Sequence, residues 1–168
     1  SLREYRRASA TALDAALKPV MTSYLEQLEE RLRGAGYEGR LLVVTSQGMM
    51  KEAAELAASP VHVVKSGPAM APVAANHLIE RAGLGHRAIV ADTGGTTYDV
   101  ALVRDGEIPE TRETWIGQPY LGHMTGFPSV DISSVGAGGG SIAGVDDAGL
   151  LYVGPQSAGA VPGPACYG

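Results

Sequence analysis

The stretch IVADTGGTTYDVAL, residues 89–102, sets two β-forming runs on either side of a Gly-Gly-Thr-Thr turn and places Asp92 and Asp99 seven residues apart. Two readings are open. The turn is either a tight hairpin whose threonines reflect strand preference, or a cradle in which backbone N–H groups hold a phosphoryl group. Asp92 ends the first run, Gly94 and Gly95 let the main chain approach a ligand closely, and Thr96 and Thr97 add hydroxyl and N–H donors. In the second reading Asp92 is the catalytic candidate. It would organise a divalent cation or a water beside the phosphate, because magnesium keeps several waters and takes only one or two carboxylates. Asp99 steadies the turn from the second strand.

Downstream, VGAGGGSIAG at residues 135–144 holds a second glycine cluster, Gly136 and Gly138 to Gly140, between β-forming residues. Glycines weaken a strand unless the backbone must bend or come close to something. That something is either a nucleotide, which makes Gly138, Gly139 and Gly140 cofactor-binding candidates, or the backbone of another segment. Asp131, at a strand-like position five residues upstream, either points into the same cleft or caps a loop. Asp105-Gly106 and residues 146–149 are hairpin-turn signals.

Upstream, the texture differs. Residues 2–36 repeat apolar residues at three- and four-residue steps (Leu13, Leu17, Met21, Leu25, Leu28, Leu32), which predicts helix, with a kink or a break at Pro19 and a stop at Gly34 and Gly36. LLVVTS, KEAAELAA, VHVVK and APVAANHLIERAG then alternate as strand, helix, strand and helix, a parallel βαβ pattern. Ser66-Gly67-Pro68 reads as the start of the last helix, with Ser66 near the cap. After Gly85 the helices end, so the expected boundary divides the chain into 1–84 and 85–168.

Composition bounds the function. The chain has 168 residues, of which 45% are hydrophobic and 18% charged, so it has the apolar material for a core. Its net charge is −5 and no basic stripe runs along it, which argues against a nucleic-acid surface. No apolar run reaches the roughly 18 residues of a membrane-spanning helix, and the charged first residues carry no secretory pattern; no membrane partner and a cytoplasmic setting are the expectations. Cys166 is the one cysteine, so no internal disulfide forms, and small-hydrophobe packing is its expected role. His62 and His77 are expected to be ordinary half-buried residues.

VVTSQG, VKSGPAMAPVAAN, VADTGGTTYDVALV, VDISSVGAGGGSIAGVD and VGPQSAGAVPGPACYG, taken in order, resemble successive motifs of the hydantoinase A / 5-oxoprolinase family over nearly the whole chain. That family includes ATP-dependent lactam hydrolases and acetone-carboxylase-type subunits. The resemblance implies an α/β, actin-like ATPase fold, in which two ribonuclease-H-like lobes clasp ATP. Residues 1–84 would end the first lobe with the interlobe helix, and residues 85–168 would open the second with its phosphate-binding hairpin. Mixed sheets and a connecting helix between two partial lobes are expected. The resemblance also implies ATP with Mg²⁺ or another divalent metal, Asp92 and Asp131 as metal candidates, and a small cyclic amide or ketone substrate. A second hydantoinase-type (B) subunit or domain is the implied partner, and open sheet edges suit a homo-oligomer.

Family members are several times longer and carry an earlier Asp-x-Gly-Gly-Thr-x-Thr-Asp motif, whereas this chain holds one such motif. It is therefore expected to be a central fragment of an ATP-dependent cyclic-amide hydrolase, inactive in isolation. The alternatives are an ATP-dependent ketone carboxylase subunit and a catalytically silent structural or interaction domain. Many relatives have histidine where Ser133 stands, a metal or substrate contact by resemblance. His123 would compensate if its loop folds toward Asp131.

Overall fold

The computed structural model describes residues 3–167; Ser1, Leu2 and Gly168 lie outside the described residues, and with them the helix start expected at Leu2 and the last residue of the PACYG motif. The first element, α1 (Glu4–Gly34), is one helix that runs through Pro19. Proline has no N–H for the carbonyl of Ala15, but both residues are exposed, so water can serve that carbonyl. The helix closes with the amides of Ala35, Gly36 and Tyr37 on the carbonyls of Arg31, Arg33 and Leu32, and Gly36 turns the chain at φ +86°.

Leu25 of α1 is buried against Ala53 and Leu56 of a short helix, α2 (Ala53–Ala58), with Met21, Leu41, Val43 and Val63 around them. Strands β1 (Leu42–Val44) and β2 (Met50–Glu52) pair antiparallel just before α2. The run VHVVK, expected as a strand, is instead a 3₁₀ turn over Pro60–Val63. Its backbone groups are claimed by other segments. Ser46 donates its amide to the His62 carbonyl at 2.7 Å, and the Asp14 carboxylate accepts the Val61 amide at 3.0 Å. With these groups engaged and Pro60 presetting φ, the run turns instead of extending. All pairings among the described strands are antiparallel, which corrects the parallel βαβ expectation.

His62 meets Phe127 edge-on, with ring centroids 6.0 Å apart. Burial lowers its pKa from the ordinary 6.5, the nearby Lys51 ammonium adds to this, and Asp14 opposes it. The unfolded chain therefore binds the proton more readily, and stability falls as pH drops through the ordinary histidine range. The thermal unfolding midpoint is expected to decline between about pH 7.5 and 5.5, and less steeply in His62→Gln. Equal slopes in the two proteins would show that this ring is not the titrating group.

Helix α3 (Ser66–Arg81) starts after Lys65, which holds a left-handed backbone at φ +60°. It packs on the hairpin of β3 (Ala88–Thr93) and β4 (Tyr98–Val103), where Ala69, Pro72, Ala101 and Val103 are buried. Asn76 of α3 donates to the carbonyl of Gly106, in the turn after β4, where Asp105 and Gly106 both take positive φ as the Asp-Gly signal predicts. Two short ladders follow, β5 (Glu110–Thr111) with β8 (Ser129–Val130) and, inside it, β6 (Trp115–Ile116) with β7 (His123–Met124). Strand β9 (Ile132–Val135) then returns to β4, making a three-stranded sheet in the order β3-β4-β9. A last hairpin, β10 (Ser141–Val145) and β11 (Leu151–Ser157), turns where Asp146 Oδ1 accepts the amides of Ala148 and Leu150.

Contacts also join distant segments. The carbonyl of Ser46 accepts the Val130 amide at 2.8 Å, and Arg6 pairs with Glu113 at 2.9 Å. The architecture is α/β with small sheets. No helix among the described residues is long and apolar enough to cross a membrane.

Candidate functional site

The β3-β4-β9 register builds the site. Asp92 stands directly opposite Asp99, and Asp99 directly opposite Ser134, so the three form a row across one face of the sheet. Alternation puts that row on the face of Ala101 and Val103, so Asp99 is only 9% exposed, while Asp92 at the strand end is open to solvent. Thr97 donates its hydroxyl to Asp99 Oδ2 at 3.0 Å, which matches the expectation that Asp99 steadies the turn. The other oxygen, Oδ1, is buried without a partner.

A buried carboxylate oxygen left unpaired is costly, and like charges directly opposite on a sheet repel. Both are relieved by a cation beside the pair. Among the described residues no group of three or more His, Cys, Asp or Glu is placed to hold a metal, so Asp92 and the unpartnered Asp99 Oδ1 are the only carboxylate oxygens this row offers a cation.

The turn itself is closed by the Gly94 amide on the Thr97 carbonyl at 2.9 Å. Gly94, Gly95 and Thr96 are exposed, and among the described residues the amides of Gly95 and Thr96 donate to no carbonyl. Behind the turn lies the second glycine cluster. Gly139 and Gly140 donate to the carbonyls of Gly94 and Gly95 at 2.9 and 3.1 Å, and Gly138 donates to Ser141 Oγ. A Cβ on Gly138 would sit 2.6 Å from Thr96 N and 2.7 Å from both Gly94 O and Gly95 C. Of the two partners open to this cluster in the sequence, another segment's backbone is the one it meets. The Gly139 and Gly140 amides hold the turn from behind, and the Gly138 Cα packs against Thr96 N.

Asp131 is not brought to Asp92. Ile132 pairs with Ala101, so Asp131 lies one residue further along, about 10 Å along the strand from the level of Asp92, two strands away and on the other face. It lines a cavity of about 380 Å³ with Lys65, Trp115, Pro119, Ser133 and Ser134. His123 lies elsewhere, lining a cavity against α1 with Tyr5, Ser9 and Leu13, so it does not compensate for Ser133. Cys166 is exposed rather than packed. His77 is also exposed, five residues and about 140° around α3 from buried Pro72. Sequence reasoning did not single out Ser134, in the carboxylate row, or Lys65 and Trp115, which line the cavity with Asp131. Period-two alternation through DISSV could have flagged Ser134; nothing local marks the other two.

The chain matches the Hydantoinase/oxoprolinase family profile over residues 7–168. It is 36% identical to caprolactamase subunit alpha of Pseudomonas jessenii over 167 residues, which are 99% of this chain and 23% of that protein. It is 34% identical to the acetophenone carboxylase gamma subunit of Aromatoleum aromaticum over 166 residues, 98% of this chain and 22% of that one. The crystal structure of ATP-dependent caprolactamase from Pseudomonas jessenii aligns with a TM-score of 0.76 and 35% identity, covering 99% of this chain and 23% of that one. The chain thus spans about a quarter of the length of these relatives. The shared α/β architecture is consistent with an actin-like ATPase-type fold, as the motifs implied. With its glycine motifs joined into one turn assembly and a profile match from residue 7 to the last residue, this chain belongs to the hydantoinase/oxoprolinase family.

Proposed function

We propose that this chain is part of an ATP-dependent hydrolase that opens a cyclic amide, and that its β3–β4 turn grips the phosphates. The buried, unpaired Oδ1 of Asp99, the residue directly opposite Asp92, carries this reading, because a cation there would complete the carboxylate's interactions. Asp92 and Asp99 Oδ1 would hold the divalent ion, which would neutralise phosphate charge, while Asp99 Oδ2 anchors Thr97. The amides of Gly95 and Thr96, with the hydroxyl of Thr96, bind the phosphate oxygens, while the Thr97 hydroxyl stays on Asp99 Oδ2. Gly138, Gly139 and Gly140 support this turn through the backbone. Bound ATP supplies the phosphoryl group that makes the amide carbonyl carbon open to attack by water. The division into 1–84 and 85–168 belongs to the same reading, with α3 as the connector between the lobes.

The names of the relatives support the ATP requirement and a partner subunit, since one is a subunit alpha and another a subunit gamma. A ketone carboxylase subunit is the second reading, favoured by the identity to acetophenone carboxylase gamma. Incubating the intact protein and its partner with Mg²⁺, ATP and a panel of cyclic amides should release phosphate in step with the ring-opened amino acid. Phosphate release that requires a ketone and bicarbonate would establish the second reading instead. Failure with both panels would leave a silent scaffold.

A further inference from the structure

We infer that the cavity between the start of α3 and β9 is the binding site of the cyclic amide, with Lys65 donating to its carbonyl oxygen and Asp131 accepting from its N–H. This rests on the ATP-dependent reading of the hairpin and adds the site and the recognition chemistry to it. The cavity measures about 380 Å³ and includes Lys65, Trp115, Pro119, Asp131, Ser133 and Ser134 in its lining. That volume lies within the range of small-ligand sites and suits a ring of five to seven atoms.

Its charges are free to bind. Among the described residues, neither the Lys65 ammonium nor the Asp131 carboxylate enters an ion pair or a side-chain hydrogen bond, whereas Glu113 at the rim is held by Arg6 at 2.9 Å. Lys65 is also held at φ +60°, a backbone conformation unusual for a side-chain-bearing residue and concentrated at functional sites.

The two groups have opposite hydrogen-bonding character. An ammonium only donates and a carboxylate only accepts. A small-ring amide presents both complements, because its cis geometry sets C=O and N–H side by side on one edge. A ketone satisfies Lys65 and leaves Asp131 unpaired; a carboxylate ligand satisfies Lys65 and is repelled by Asp131. Trp115 and Pro119 give the ring carbons an apolar wall, and the Ser133 hydroxyl, on the same face of its strand as Asp131, is able to donate or accept.

Ser134, directly opposite Asp99, links the cavity to the strand beside the carboxylate row, while Asp131 and Ser133 lie on the other face of their strand.

The test uses the intact protein without ATP and reads binding by calorimetry or saturation-transfer NMR. The probes are 2-pyrrolidinone, caprolactam, N-methyl-2-pyrrolidinone and cyclopentanone. The lactams should bind about tenfold or more tightly than the N-methyl compound and the ketone, which lack the N–H. Lys65→Gly, which accepts the positive φ and removes only the ammonium arm, should weaken all four. Asp131→Ala should weaken the lactams alone and erase the N–H preference. Lactam binding that is absent, or unchanged in both variants, overturns the inference, as does a ketone that binds as tightly as a lactam. A parallel Mg²⁺-ATP titration of the same proteins separates the two readings. Loss of lactam binding with ATP binding intact sinks only the cavity assignment, and absence of ATP binding sinks the hairpin reading on which it rests.

Discussion

Asp92→Asn in the intact protein is expected to lower ATP turnover by about 10²- to 10³-fold, the usual effect of removing one electrostatic group aimed at developing charge. The fold should be untouched. Asn keeps the volume, and Asp92 is exposed at the end of β3, so no packing is lost. Stability should even rise slightly, because the substitution removes a like charge directly opposite Asp99, worth about 0.2–1 kcal/mol on a sheet. A purely structural role predicts the reverse pairing, with a lower unfolding midpoint and normal turnover. Steady-state ATPase rates beside a thermal melt decide between them, and unchanged turnover would remove the hairpin from the nucleotide site.

Gly138→Val is expected to be the most destabilising single change near the site. Its Cβ would fall 2.6 Å from Thr96 N and 2.7 Å from Gly94 O and Gly95 C, all backbone atoms that cannot rotate away. Overpacking alone costs about 1–3 kcal/mol. Pushing the cluster off the turn also breaks the bonds from Gly139 and Gly140 to the Gly94 and Gly95 carbonyls, each worth about 0.5–1.5 kcal/mol. A loss of about 3 kcal/mol or more should appear in denaturant unfolding, together with lost ATP binding because the turn is no longer backed. Gly136→Ala is the control. Its Cβ meets nothing within 4 Å and its φ is not positive, so a change within about 0.5 kcal/mol is expected. Similar effects at the two positions would mean that the clash at Gly138 is not what supports the turn.

Much of the site was legible because its chemistry is local. The Gly-Gly-Thr-Thr turn between two β-forming runs does form the β3–β4 hairpin, with Asp92 at its mouth and Asp99 bonded to Thr97. The Asp105-Gly106 turn and the helix after Ser66 appear where turn and cap residues place them. The same local reading erred at VHVVK, whose β-branched residues say strand. The contacts that decide it come from Ser46 and Asp14, respectively 16 and 47 residues from their partners in the run. Of the two readings open at Pro19, a break is excluded, because α1 continues through it as one helix at an exposed face.

What this sequence determined by itself is therefore the set of local parts: the glycine turn, the hairpins and the long helices, because φ preferences, missing N–H groups and side-chain periodicity act within a few residues. Tertiary structure alone decided how they meet. The return of β9 to β4 puts Ser134 across from Asp99, the glycine cluster closes on the carbonyls of Gly94 and Gly95, and Lys65 and Asp131 come to line one cavity from opposite ends of the chain's middle. Those outcomes depend on register and on which distant backbone groups remain unpaired after each element has formed, and a hydrogen bond between segments tens of residues apart leaves no mark in the local sequence of either one.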